Sequence, residues 1–194
     1  MKNDPPFFAS SKTVEHYTPR YIWERAVRSM GAIDVDPAAD PGHNIPAAVH
    51  YTKQENGLKH VWTGWVWLNP PFGQDVIVWF EHLARDYSSG NVTEAVVLWK
   101  AAVETEAFRA LAGITSFVAY PHARINFIPG SGGQHGGKGS NFSPALFYIG
   151  KNGNRFIEAY SDISDIWKPV FLSVKEKRKG QTTIPAAAGG EVIA

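Results

Sequence analysis

The sequence predicts an α/β fold, a three-layer arrangement with a mainly parallel sheet, helices on its faces and an antiparallel edge strand. Three observations predict it. From residue 18 onward, apolar runs of strand length alternate with amphipathic stretches of helical period, the pattern of strands joined by crossover helices. The central runs, VWL at 66–68 and AVVLW at 95–99, are continuously apolar, as strands covered on both faces are. Toward the end, strand-like runs follow one another without a long helix between them, which suits antiparallel pairing.

Each element has a local reason. In TPRYIWERAVRSMG, Ile22, Ala26, Val27 and Met30 share one helical face. Thr18 suits the N-cap, Pro19 the first helical position, and Gly31 the stop. AIDVDPAAD reads as a short strand ending at Asp36-Pro37, with Asp34 facing out between Ile33 and Val35. Residues 40–62 read as irregular. GWVWLN is a second strand. In DVIVWFEHLARDYSS, Val76, Trp79, Phe80, Leu83 and Tyr87 form a helical stripe, with Asp75 a candidate cap. EAVVLWK is a third strand and ETEAFRALAG a short helix. SFVAYP and RINFI read as strands, then a glycine-rich loop, then the strand PALFYIG; residues 154–167 read as helical.

The chain of 194 residues suits one domain. Residues 1–13 read as a flexible arm, 14–172 as the folded domain, and 173–194 as a disordered tail. A formal net charge of +1 means that nucleic-acid binding would need a local basic patch. No run is long enough for a membrane span and no signal peptide is evident, so the expected compartment is the cytoplasm. There is no cysteine, which excludes disulfides, thiolate metal sites and a cysteine nucleophile. The seven histidines lack ligand spacing, so no metal is expected.

The chemistry centres on VWLNPPFG. Proline lacks an N–H, so this strand end offers carbonyls and few donors. The Asn69 side-chain oxygen and the Pro70 carbonyl can converge as two acceptors for one NH2 group. Phe72 adds an aromatic face beside them. Together they suit an exocyclic amine on a stacked planar ring. By itself, Asn-Pro-Pro also makes a strand-ending turn. Thr18-Pro19 caps a helix with or without a ligand, and Asp36 before a proline suits a turn as well as a ligand.

Asn-Pro-Pro-Phe resembles the (D/N/S)-P-P-(Y/F/W) motif of S-adenosylmethionine-dependent amino methyltransferases. EHYTPRYIWE, AIDVDPAAD, ENGL and VWLNPPFG, in that order, resemble the phage-type DNA N6-adenine methyltransferases of the Dam family over roughly residues 14–150. The resemblance implies a compact, Rossmann-like methyltransferase sheet, S-adenosylmethionine as cofactor, and double-stranded DNA as partner, with no obligate protein partner evident. It implies that Asn69 and Pro70 hold the target amine, and that Phe72 stacks on a flipped adenine with Pro71 beside it. Thr18, Pro19, Asp36, Pro37, Ala38 and Asn56 fall on its cofactor segments. DPAADPG lacks the full glycine-rich turn of larger adenine methyltransferases, and Asn56 stands where members often carry Asp. The implied reaction is direct displacement by the adenine amine.

The loop GSGGQHGGKGS departs from a phosphate loop. Gly139 follows Lys138 where Ser or Thr is needed, and a strand-like run follows where a helix must open. His135, Lys138 and Asn141 instead suit contacts to DNA, and Arg124 suits a phosphate or a solvated strand position. Other planar substrates, RNA guanine or protein glutamine, share this type of motif. A catalytically silent DNA-binding module is the competing class. Cytosine C5 methylation is excluded by the absent cysteine.

Overall fold

The computed structural model describes residues 16–73, 75–129 and 142–169. The expected arm at 1–13, the expected tail at 173–194, and His135, Lys138 and Asn141 lie outside the described residues.

The elements run β1 (His16–Tyr17), α1 (Arg20–Met30), β2 (Ile33–Asp36), β3 (Ala47–His50), β4 (Gly64–Leu68), α2 (Val76–Ser88), β5 (Val92–Lys100), α3 (Glu106–Ala112), β6 (Phe117–Pro121), β7 (Ile128–Pro129), β8 (Pro144–Ile149), α4 (Gly153–Tyr160) and β9 (Ser164–Trp167). The main sheet has the order β3-β2-β4-β5-β8-β6-β9. From β3 through β5 every pairing is parallel. Strand β8 runs against both β5 and β6, and β9 runs against β6. The antiparallel part therefore includes an edge strand, as the fold class expects, but that edge is β9, from residues read as helical, and β8 is inserted inside the sheet.

The apolar runs become the middle of three layers. On one face, Phe80 and Leu83 of α2 and Leu111 of α3 meet Val66, Leu68, Val97 and Phe147. On the other, Ile22, Ala26 and Met30 of α1 join Phe156 and Tyr160 of α4 over Trp67, Val96, Leu98 and Leu146. Successive residues of β4 and β5 thus point to opposite, equally apolar sides, which is why their sequence shows no alternation.

Several expectations need correction. Helix α1 starts at Arg20, and its N-cap is Pro19, with no side-chain capping bond; the Thr18 hydroxyl is engaged elsewhere. Asp75 holds the N-cap position of α2 but its side chain caps nothing. Within 40–62 lie β3 and a 3₁₀ turn at Gly57–Lys59. Strand β3 is a half-exposed edge of four residues, and its apolar run, Ala47-Ala48-Val49, is too short and too small to signal a strand. RINFI contributes only Ile128 to a strand, and that strand pairs with β1. Helix α4 stops at Tyr160, and Ser164–Trp167 extends along β6 instead. Ile163 and Ile166 have a spacing that fits a helix, but the open edge of β6 supplies a ladder that local pattern cannot show.

Asp34 does more than face outward. Its Oδ2 accepts the Trp65 N–H at 2.8 Å, fastening β2 to β4. Gly64, at φ 71°, is required there, because a Cβ would overlap that carboxylate.

Candidate active site

Parallel α/β sheets bind ligands at the carboxyl ends of strands where the connections diverge. Here the chain leaves β2 for β3 on one side, and β4 returns on the other side and leads away to β5. The carboxyl ends of β2 and β4 are neighbours at that divergence, and they carry Asp36 and Asn69.

A pocket of about 720 Å³ opens there. Of the residues singled out in the sequence, Thr18, Asp36, Pro37, Ala38, Asn56, Asn69, Pro70, Pro71 and Phe72 line it together. Residues up to 54 positions apart in the chain thus share one cavity. Its volume lies within the usual range for small-molecule sites, about 300–1,000 Å³. Pro19 is buried at the start of α1 outside the wall. Arg124 is exposed in the segment between β6 and β7, also outside the wall.

At the end of β4 the burial changes residue by residue. Pro70 is buried, Asn69 is half-buried, and Pro71 and Phe72 are exposed. The Asn69 Nδ2 donates to the Thr18 Oγ1 at 3.3 Å, and Thr18 itself is buried. Phe72 is 57% exposed, a large value for a phenylalanine, yet it is not loose. One side of its ring stacks on Trp99, with centroids 5.3 Å apart and planes 25° from parallel. Phe142 flanks it at 5.1 Å. Trp99 in turn rests on Phe80, edge to face, within the core. A backed aromatic ring with its remaining surface exposed can take a second planar group by stacking.

At the end of β2, Asp36 is 3% exposed. Its Oδ1 accepts the Ala38 N–H at 3.3 Å. Burial pushes its carboxyl up to about 7; the Ala38 N–H pulls it down and the nearby Asp40 pushes it up. The ionised form is held with little compensation, which makes this corner of the pocket suited to a cationic ligand group.

Asn56 has a left-handed backbone, φ 56°, and its Oδ1 accepts the Leu58 N–H, capping the 3₁₀ turn. One of the two lone pairs of its carboxamide oxygen is therefore used by the turn. Gly57 presses so closely on the Pro37 carbonyl that a Cβ would overlap it, and its own carbonyl accepts the buried Trp62 indole N–H at 2.9 Å. These contacts hold the Asn56 turn against the Asp36-Pro37 turn.

Sequence reasoning missed the contribution from the end of β3. Tyr51 donates its N–H to the Asp36 carbonyl and accepts from the Ala39 N–H, and its ring stacks on His60 at 3.9 Å. Tyr51, Thr52 and Tyr17 also line the pocket, as does Trp79 from α2. The unrecognised β3 hid the first two. Tyr17 is adjacent in sequence to Thr18, and Trp79 lies on the helical stripe that also faces the core.

A model of the family described as DNA N-6-adenine-methyltransferase (Dam) matches residues 10–178. The chain belongs to the Dam family. The match spans the whole sheet, the pocket and both strand ends that build it, and the seven-stranded α/β sheet is consistent with a Rossmann-like methyltransferase. At the level of the Dam family the chain is a DNA adenine N6-methyltransferase. No curated protein matches the chain. Among the described residues, no group of three or more His, Asp or Glu side chains could hold a metal, and no helix is long and apolar enough to cross a membrane.

Proposed function

We propose that the chain transfers a methyl group from S-adenosylmethionine to N6 of an adenine flipped out of double-stranded DNA. The observation that carries this reading is that Asn69, Pro70 and Phe72 line the same pocket as the Asp36–Ala38 turn. An amine site and a second ligand's site within one cavity are what a transfer between two bound molecules requires.

The residues fit the cofactor. A sulfonium and an α-amino group are cationic, and Asp36 is a buried carboxyl that accepts the Ala38 N–H and forms no ion pair among the described residues. Asp36, Pro37 and Ala38 from β2, with the Asn56 turn packed against them, would hold it. When bound, S-adenosylmethionine supplies a methyl group already activated for displacement.

The chain's own residues do the rest. The Asn69 Oδ1 and the Pro70 carbonyl accept the two hydrogens of the adenine amine. Those two acceptors draw the nitrogen toward tetrahedral geometry and localise a lone pair otherwise delocalised into the ring. They act as fixed dipoles, so little reorganisation accompanies the reaction. Neither Pro70 nor Pro71 has an N–H to compete for the site. Phe72, held by Trp99, stacks on the base and offsets an unstacking cost of about a few kcal/mol. The proton leaves to solvent. His135, Lys138, Asn141 and Arg124 belong to this proposal as DNA contacts, with the cytoplasm of a bacterium or phage-infected host as the compartment.

The test is methyl transfer from labelled S-adenosylmethionine to unmethylated duplex DNA, with digestion to nucleosides and mass analysis. N6-methyladenine from the parent chain and none from Asn69→Ala, which keeps cofactor affinity, is the expected result. Cofactor binding without label in DNA would redirect the search to RNA and protein amides. Collapse of cofactor affinity in Asn69→Ala would overturn the site assignment.

A further inference from the structure

A carboxamide has two ends of nearly equal size and opposite chemistry, an NH2 that donates and an oxygen that accepts. Only the oxygen end of Asn69 can receive a substrate amine. The NH2 end turned toward that amine would oppose donor to donor. Because Asn69 precedes Pro70, its backbone is confined to the extended region, so the remaining freedom is in the side-chain torsions. Something must decide which end faces the pocket.

The Thr18 hydroxyl is placed to decide it. Its Oγ1 accepts the Asn69 Nδ2–H at 3.3 Å. Thr18 is 6% exposed, and its β-branched side chain has few rotamers. The backbone is held on both sides. Before it, β1 pairs with β7, Tyr17 opposite Ile128. After it, Pro19 opens α1, with the Ile22 N–H bonded to the Pro19 carbonyl at 3.0 Å. A hydroxyl can accept or donate; here it accepts from Nδ2, and with its backbone fixed that contact leaves Oδ1 to the pocket, where a bound amine's hydrogens disfavour the reverse orientation.

We infer that Thr18 is a positioning residue: its hydroxyl takes the NH2 end of Asn69 and thereby presents Oδ1 to the substrate amine. This rests on the proposed role of Asn69. It gives Thr18 a task separate from the cofactor contact that the family resemblance implies for its segment. It also explains how an Asn can serve at this position. A carboxylate would present an acceptor whichever way it turned, whereas a carboxamide does so only while its NH2 end is engaged elsewhere.

The test uses the full chain with Thr18→Val, which keeps the shape and removes the hydroxyl, and Thr18→Ser, which restores it. Nitrogen-15 spectra of the Asn69 side-chain amide, assigned by its loss in Asn69→Asp, should show that signal displaced in Thr18→Val and returned in Thr18→Ser. In the transfer assay, Thr18→Val should lower kcat by about five- to tenfold, the effect of one lost hydrogen bond, with the Kd for S-adenosylmethionine within about twofold of the parent. Thr18→Ser should recover most of kcat. An unmoved Asn69 amide signal in Thr18→Val overturns the inference. So does a loss confined to cofactor affinity, which would make Thr18 a cofactor contact only. A parent chain inactive on DNA would instead overturn the proposed function, while the amide spectra would still decide the orientation.

Discussion

Phe72 lies over Trp99 with ring centroids 5.3 Å apart and planes 25° from parallel, so an exposed residue is carried by a buried one. Trp99 is 2% exposed and stands on Phe80, which makes the stack an extension of the core into the pocket. Base stacking on an aromatic side chain is worth about 1–3 kcal/mol. Phe72→Ala should therefore lower kcat/KM for duplex DNA by about ten- to a hundredfold, with cofactor affinity and melting temperature close to the parent's. Phe72→Trp should retain most activity. With 2-aminopurine at the target position, the parent should enhance fluorescence and Phe72→Ala should alter that emission. Full activity in Phe72→Ala would remove the ring from the base site.

Asp36 sets a pH dependence with two opposite signs. Its folded value near 7 lies above the ordinary carboxylate range near 4, so the folded chain keeps a proton that the unfolded chain has released. The stability linked to this group is fully present below about pH 4, declines as pH rises toward about 7, and stays low above that. Asp36→Asn removes the slope, so its stability relative to the parent should improve steadily from pH 4 to 7 in denaturant titrations. Binding of a cationic ligand favours the ionised form instead. Calorimetric affinity for S-adenosylmethionine should rise through about pH 7 in the parent and stay flat, and weaker, in Asp36→Asn. A flat profile in the parent would remove Asp36 from the cofactor's binding set.

Gly64→Ala tests the fastening of β2 to β4. A side chain there meets both a backbone at φ 71° and the Asp34 carboxylate that receives the Trp65 N–H. The expected cost is roughly 1–3 kcal/mol, read as a lower urea midpoint with an unchanged slope. Asp34→Ala in the same background should relieve the overlap but leave the backbone strain and remove the acceptor of the Trp65 N–H, so recovery should be partial at most. A midpoint equal to the parent's would show that the strand end adapts freely.

DNA binding should depend on salt. With a formal net charge of only +1, affinity must come from cations gathered locally against phosphates, each releasing counterions. The logarithm of affinity for a short duplex should fall linearly with the logarithm of salt concentration, and the slope should become shallower by about one when a phosphate-contacting cation is removed. Lys138→Ala and Arg124→Ala, compared separately, would show which of the two makes such a contact. A salt-independent affinity would count against duplex DNA as substrate.

The sequence by itself determined the layers and the chemistry of the strand ends. Continuous apolar runs such as 95–99 reveal a strand buried on both faces, and the spacing of Ile22, Ala26 and Met30 reveals a helix covering it, because both signals come from residues close in the chain. Asn69-Pro70-Pro71-Phe72 was legible for the same reason: proline's missing N–H and the amide's acceptor are properties of the residues themselves. Tertiary structure alone decided what meets what. Strand β3 is an edge with little to bury, β9 exists because β6 offered it a ladder, and β8 entered the sheet beside β5 rather than at its margin. Thr18 looks like a helix cap until the fold brings it to Asn69, 51 residues away. The Asp36 carboxyl is an ordinary acid in the chain, and its raised value arises from burial between β2 and the turns packed on it. Local pattern records what a residue can do; distance and desolvation, which exist only after folding, select what it does.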